Sequence, residues 1–237
     1  PQVACPSNIN VTNDPGLCGA VVTFPLPTVT DNAGLPTDDG FVNLLTNGTF
    51  ETGSILPWVS TTIGSPSGTC PSSPRDFNVS SSGSSTGCSP AANPIGGTYA
   101  LYNMLDGNTA LTYRIYQSIS VPANVDVANL AWRESWRTSY NGSSRTMRID
   151  LYNSTGTTHI ATLHNYAFPS ISSSNGWQSK TLDITSAVQA HEGEDLRLVV
   201  SVSIPSSWTG PAGLGLDNFE LNVRGGRNLI ASIKRIY

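Results

Sequence analysis

Charge is what this sequence has least of. Only 12% of its 237 residues are Asp, Glu, Lys or Arg, about half the share usual in a globular domain. Lysine is down to Lys180 and Lys234, so ten of the 12 basic residues are arginines. No basic run occurs, and the net charge is −4. A nucleic-acid surface needs clustered cations against phosphates, so that class of partner is excluded. No apolar stretch approaches the roughly 20 residues of a membrane span. No segment sustains a helical period beyond a short turn at 184–191. HExxH, GxSxG, the phosphate-binding loop and the dinucleotide fingerprint are all missing.

What is present is turn chemistry and alternation. The chain carries 22 Gly and 16 Pro, with 38% hydrophobic residues, enough to build a core at this length. Met147, Ile149 and Leu151 alternate with Arg148, Asp150 and Tyr152. Leu196, Leu198, Val200, Val202 and Ile204 alternate with Arg197, Val199, Ser201 and Ser203. A period of two means strands with one face in a core. Further strands are predicted over 41–47, 98–104, 111–121, 128–138, 178–184 and 214–223. The class is all-β, and the strand spacing points to a sandwich. Three zones differ in character: a turn-rich 1–40, a strand-rich 41–224 holding all five Trp, and a tail 225–237 that opens on Gly225-Gly226. Within the middle zone, 60–95 reads as a Ser/Gly/Pro loop.

Four cysteines, an even number, favour an oxidising compartment, and the Ser/Thr/Asn-rich composition agrees with a secreted or cell-surface protein. No leader precedes Pro1, so the expectation is a mature or trimmed chain. Seventeen residues separate Cys70 from Cys88. A disulfide closing that loop would stabilise the fold by about 3 kcal/mol through the unfolded chain.

The stretch Asn47-Gly48-Thr49-Phe50-Glu51-Thr52-Gly53, followed by Trp58, resembles the opening strand of bacterial carbohydrate-binding jelly rolls of the galactose-binding-like group. Leu214-Gly215-Leu216-Asp217-Asn218-Phe219-Glu220-Leu221 resembles their last strand. Gly97 to Tyr102 and Gln117 to Pro122 fall between them in the matching order. The resemblance covers about 41–224 and implies a structural Ca²⁺ held by Glu51, the Thr49 and Thr98 carbonyls and Asp217. Calcium takes about six to eight oxygens, which first and last strands can supply together at one edge. The region near Ile95–Gly96, where these families sometimes add an acidic ligand, is not acidic. The plain alternative is that Glu51 caps a turn and Asp217 binds backbone amides.

Cys5-Pro6-Ser7-Asn8-Ile9-Asn10-Val11, Asp14 to Val22 with Cys18, and Thr30-Asp31-Asn32 resemble the start of a hyalin-repeat module, an immunoglobulin-like extracellular domain. Only its first strands are present, and Ala33 stands where a third cysteine is usual. Cys5 and Cys18 pair either with each other or outside the chain. A partial immunoglobulin-like sheet does not bury its faces alone. Either the ends are cut from a longer chain, or strands are donated between copies.

For catalysis the mid-strand carboxylates are Glu134 and Asp150, and two carboxylates do not make an enzyme. His159 and His164 flank a short apolar segment and read as surface or turn residues. Trp58 and Trp177 read as core. In the strand around Trp132, Leu130, Trp132 and Trp136 share a face with Glu134, leaving Arg133 and Arg137 on the other. Neighbouring strands add Arg148, Asp150, Tyr152 and Arg197. The expectation is one polar sheet face carrying Arg133, Arg137, Arg148, Tyr152 and Arg197, suited to carboxylate or sulfate groups. The bland counterpart is internal pairing of these arginines with Glu134 and Asp150. Trp208, on a predicted loop, either stacks on a sugar or covers the barrel end.

The sequence therefore predicts an extracellular, non-catalytic carbohydrate-binding or adhesion module for an acidic or sulfated polysaccharide. The alternative is a structural subunit of an extracellular fibre or surface layer, built by strand donation between copies.

Overall fold

The structure is a computed structural model. It describes residues 2–4, 12–13, 15–16, 28–30, 40–64, 76–82, 92–105, 109–138, 145–205 and 212–225. All four cysteines, Trp208 and residues 226–237 lie outside these, and so do most residues that resemble a hyalin repeat. The predicted disulfides, loop tryptophan and tail strand are therefore outside the described residues.

The chain divides into two compact units, Pro1–Gly40 and Phe41–Tyr237. In the first, β1 (Gln2–Ala4) pairs antiparallel with β2 (Thr28–Thr30). The second is a jelly-roll sandwich of two antiparallel sheets. Its elements are β3 (Phe41–Asn43), β4 (Val59–Ile63), β5 (Asn78–Ser80), β6 (Ala100–Asn103), β7 (Leu111–Ser120), β8 (Val125–Thr138), β9 (Thr146–Asn153), β10 (His159–Ala167), β11 (Ser173–Asp183), α1 (Thr185–Gln189), β12 (Asp195–Ile204) and β13 (Ala212–Gly225). One sheet has the order β10-β9-β12-β7-β4, the other β11-β8-β13-β6-β5, with β3 pairing the far end of β13. Among the described residues no helix is long and apolar enough to cross a membrane.

The alternation read from the sequence builds the core. Leu111, Tyr113 and Ile115 on β7, Met147, Ile149 and Leu151 on β9, and Leu196, Leu198, Val200 and Val202 on β12 are buried. From the facing sheet, Leu130 and Trp132 on β8 and Leu214, Leu216, Phe219, Leu221 and Val223 on β13 join the same cluster. Each such side chain contributes about 1.5–3 kcal/mol relative to exposure. The strict alternation on β13 shifts once. Asn218 takes a positive φ of 52°, and the ladder to β8 slips between Asp217 and Glu220. This bulge lets both Leu216 and Phe219 point inward.

The opening segment is tied in by side chains. Gln117, 5% exposed, accepts from the Thr46 amide at 2.8 Å and donates to its carbonyl at 2.9 Å. Asn43 Oδ1 accepts from the Leu221 amide at 3.0 Å. Trp58 sits in the core against Phe50 and Phe219, with centroids 6.0 and 5.5 Å away.

Some sequence expectations change. The 60–95 zone is not loop throughout, since β4 runs to Ile63 and β5 adds an edge strand at Asn78–Ser80. His159 and His164 lie on β10 and not in a turn; His159 is at the surface, as read, with its side chain 42% exposed, whereas His164 Nε2 is shut off from solvent. Trp177 is not core; it lies half-buried against Ala100 and Tyr102, a cluster separate from the main core.

Candidate functional site

The outward positions of β7, β9 and β12 line up in ranks across the five-stranded sheet. Arg197 is registered with Tyr152 on one side and Ser118 on the other. Val199 lies between Asp150 and Tyr116, and Ser201 between Arg148 and Arg114. On the edge strand β10, His159 is opposite Tyr152 and Thr162 opposite Asp150. Polar and aromatic side chains thus gather on a single face because strands of period two are stacked in register.

Two of the arginines rest on rings. The Arg197 guanidinium lies 4.4 Å from the Tyr116 ring centroid, and that of Arg114 lies 5.6 Å from Tyr152. Neither forms an ion pair among the described residues. The third is neutralised: Arg148 Nη2 donates to Asp150 Oδ1 and to the Thr162 hydroxyl, both at 2.7 Å. The Thr162 hydroxyl in turn donates to Asp150 at 2.8 Å, and His159 Nε2 lies 3.2 Å from the same carboxylate oxygen. The Asp150 side chain is 3% exposed and that of Arg148 40%. The Nε atoms of Arg114, Arg148 and Arg197 are all shut off from solvent with no hydrogen-bond partner. Three arginines over one buried carboxylate make a cationic face on a chain of net charge −4.

The expected arginine face is thereby divided. Arg148, Tyr152 and Arg197 do come together, but β8 belongs to the other sheet. Arg133 and Arg137 therefore lie on the opposite outside of the sandwich and cannot share a ligand surface with them. Arg114 and Tyr116 take their place. The signal for both was in the sequence, since Thr112, Arg114 and Tyr116 alternate with Leu111, Tyr113 and Ile115. Internal pairing holds for Asp150 and Arg148 only; Glu134 faces Lys180 at 3.5 Å, not an arginine.

The outside of the six-stranded sheet is arranged differently. Residues 92–99 are fastened there. Trp177 Nε1 donates to the Asn93 carbonyl at 2.7 Å, and the Tyr102 hydroxyl to the Ala92 carbonyl at 2.8 Å. Glu51 accepts from the amides of Thr98 and Tyr99 at 2.9 and 3.1 Å. Gly97 and Gly215 make room for this. A Cβ at Gly97 would collide with the Glu51 carboxylate, and one at Gly215 would fall 3.0 Å from the Trp177 and Tyr102 rings.

Asp217 lies on this side, in register with Arg133 and 1% exposed. Burial pushes its pKa up to about 6; the Asn218 amide opposes this, the Glu51 charge adds to it, and Arg133 counters it. Burial and the Asp217 charge also raise the Tyr102 hydroxyl. Glu51 and Asp217 thus repel each other at the junction of first and last strands, a charge arrangement that a cation relieves. Thr49 sits in the same opening turn and Thr98 against Glu51, the observed Thr98 contact being its N–H. The observed contacts are those of the plain alternative: both Glu51 oxygens accept from the amides of residues 98–99, and Asp217 Oδ1 accepts from the Asn218 amide at 2.7 Å. Among the described residues no three His, Cys, Asp or Glu side chains gather as a metal cluster.

No family model matches the chain, and no curated protein matches it in sequence. Among solved structures it resembles the module TmCBM61 in complex with β-1,4-galactotriose, at 18% identity and a TM-score of 0.41 over 76% of this chain and 97% of that one. It also resembles the K1 cleaved adhesin domain of Lys-gingipain from Porphyromonas gingivalis W83, at 11% identity and a TM-score of 0.44 over 78% and 98%. A third likeness is the Stig cyclase Fisc from Fischerella sp. TAU, at 11% identity and a TM-score of 0.45 over 78% and 98%. Likenesses this distant assign no ligand or activity to the chain, since one fold hosts many functions.

Proposed function

We propose that the protein is a non-catalytic carbohydrate-binding or adhesion module, and that the outer face of its five-stranded sheet takes an acidic or sulfated polysaccharide. One observation carries this reading: Arg114 and Arg197 are stacked on Tyr152 and Tyr116 without a carboxylate partner among the described residues. A guanidinium pre-set on a ring loses little freedom on binding and presents a planar fork to carboxylate or sulfate. The tyrosines add apolar ring surface for sugar C–H groups. Arg148, already shared with Asp150 and Thr162, contributes less.

Ca²⁺ would be held by Glu51, Asp217 and the carbonyls of Thr49 and Thr98. Bound there, it would supply positive charge beside the two carboxylates and add to the stability of the fold. Its role would be structural, on the side of the sandwich opposite Arg114 and Arg197.

Affinity electrophoresis in gels containing polygalacturonate or heparin tests the reading. Retention should be strong, and Arg114→Ala with Arg197→Ala should remove it. Equal retention of the double variant and the parent would contradict it.

A further inference from the structure

The edge strand β10 brings a titratable group to the rim of the arginine face. His159 opens β10 opposite Tyr152, and its ring meets the Tyr152 ring edge-on at 5.3 Å. Its Nε2 lies 3.2 Å from both Asp150 Oδ1 and the Thr162 hydroxyl, and 3.4 Å from Arg148 Nη2. From β7, the Arg114 guanidinium lies 5.6 Å from the centroid of the same Tyr152 ring. From β12, Arg197 is registered with Tyr152. A single oxygen of Asp150 thus serves both a histidine and an arginine, with two more arginines beside them.

The pairing differs between the two charge states of the ring. Unprotonated, Nε2 offers a lone pair to Arg148 Nη2, and the charges of Arg148 and Asp150 cancel. Protonated, Nε2 is a donor only. It then competes with Arg148 for Asp150 Oδ1, and the guanidinium loses the imidazole as an acceptor. The cluster of His159, Asp150 and Arg148 gains a net positive charge. That charge sits on His159 and Arg148 side chains that are 42% and 40% exposed, above a carboxylate that is 3% exposed. Imidazole is the side chain that ordinarily changes charge between about pH 5 and 8. The other two histidines are placed differently. His164 lies against Trp132, where burial lowers its pKa. His191 pairs with Glu194 in the turn between α1 and β12.

We propose that His159 is a pH sensor for the arginine face, and that its protonation strengthens the hold on an acidic polysaccharide. The inference rests on the arginine face being the ligand surface. Linkage gives the sign: a polyanion favours the protonated ring, so binding takes up a proton and tightens as pH falls.

The test is calorimetric titration of the full chain with a size-defined heparin fragment, whose sulfates stay ionised, at about pH 5.5 and about pH 8. Affinity should be about three- to fivefold higher at the lower pH, the effect of one added surface charge at low salt. Between the two, the binding heat should vary with the ionisation heat of the buffer, which reports proton uptake by the parent chain without any substitution. His159→Gln should bring the two affinities level and abolish the uptake, whereas His191→Gln should leave both as in the parent. Equal parent affinity at the two pH values, or a pH dependence that survives undiminished in His159→Gln, would overturn the proposal. A parent chain that holds heparin at neither pH would overturn the arginine face as the ligand surface, and this inference with it.

Discussion

The two sheets of the sandwich share one core but treat their outer faces in opposite ways. Residues 92–99 lie across the six-stranded sheet, held by Trp177, Tyr102 and Glu51. Across the five-stranded sheet no described segment runs, and Arg148 and His159 are 40% and 42% exposed. On the covered face, polar groups are spent on the chain itself: Glu51 on amides, Trp177 and Tyr102 on carbonyls. On the other, two arginines are set on rings and directed at nothing in the described chain. Outward aromatic side chains serve as architecture on one side and, with arginines, as a candidate binding surface on the other. What separates them is whether the backbone returns to use them.

The comparison breaks most visibly at the arginines. Replacing Arg114 and Arg197 together by Ala should cost on the order of 100-fold in affinity for an acidic polysaccharide, from two charge-assisted contacts. The same change at Arg133 and Arg137 should leave binding within about twofold, because those residues lie on the outer face of the other sheet. Affinity electrophoresis of the two double variants side by side measures both. Trp177→Ala should do the reverse. Removing a half-buried ring that holds Asn93 should cost about 2 kcal/mol of stability in urea unfolding, with polysaccharide retention unchanged.

Calcium should act only on the covered side, and with a defined pH dependence. The Asp217 pKa is raised from 3.8 to about 6, so the folded chain holds its proton more tightly than the unfolded chain. Without a cation, this group stabilises the fold most below about pH 4 and loses that contribution as pH rises through about 6. A cation reverses the preference by favouring the ionised form. Calcium should therefore raise Tm at pH 7.5 and have little effect at pH 4.5, as read by thermal unfolding with and without EGTA. The smallest expected effect is at Arg148, whose charge Asp150 already balances: Arg148→Ala should weaken retention by less than Arg197→Ala does.

The core was legible from the sequence because its strands keep a period of two; β7, β9 and β12 stand as read. Sheet membership was not. β8 and β9 follow each other in the chain, and both carry arginines opposite their apolar side, yet the chain crosses between sheets after Thr138. Nothing local marks that crossing, so Arg133 and Arg148 looked like neighbours. β10 escaped notice because its register to β9 slips twice, between His159 and Ala161 and between Thr162 and His164. Two slips in nine residues erase the alternation that reveals a strand. Trp177 looked like core because a large aromatic belongs under cover; the cover turned out to be residues 92–99. Glu51 and Thr98, 47 positions apart, were placed together by the motif resemblance as calcium ligands; what joins them is the Thr98 amide donating to the Glu51 carboxylate.

The most direct test of this asymmetry is a ¹H–¹⁵N titration of the full chain with a size-defined acidic oligosaccharide, either an oligogalacturonate or a heparin fragment. The amides of β7, β9 and β12 around Arg114, Arg148 and Arg197 should shift together, and those of residues 92–99 and Trp177 should stay in place. Shifts centred on Arg133, Arg137 and Trp177, with the five-stranded sheet silent, would contradict the account.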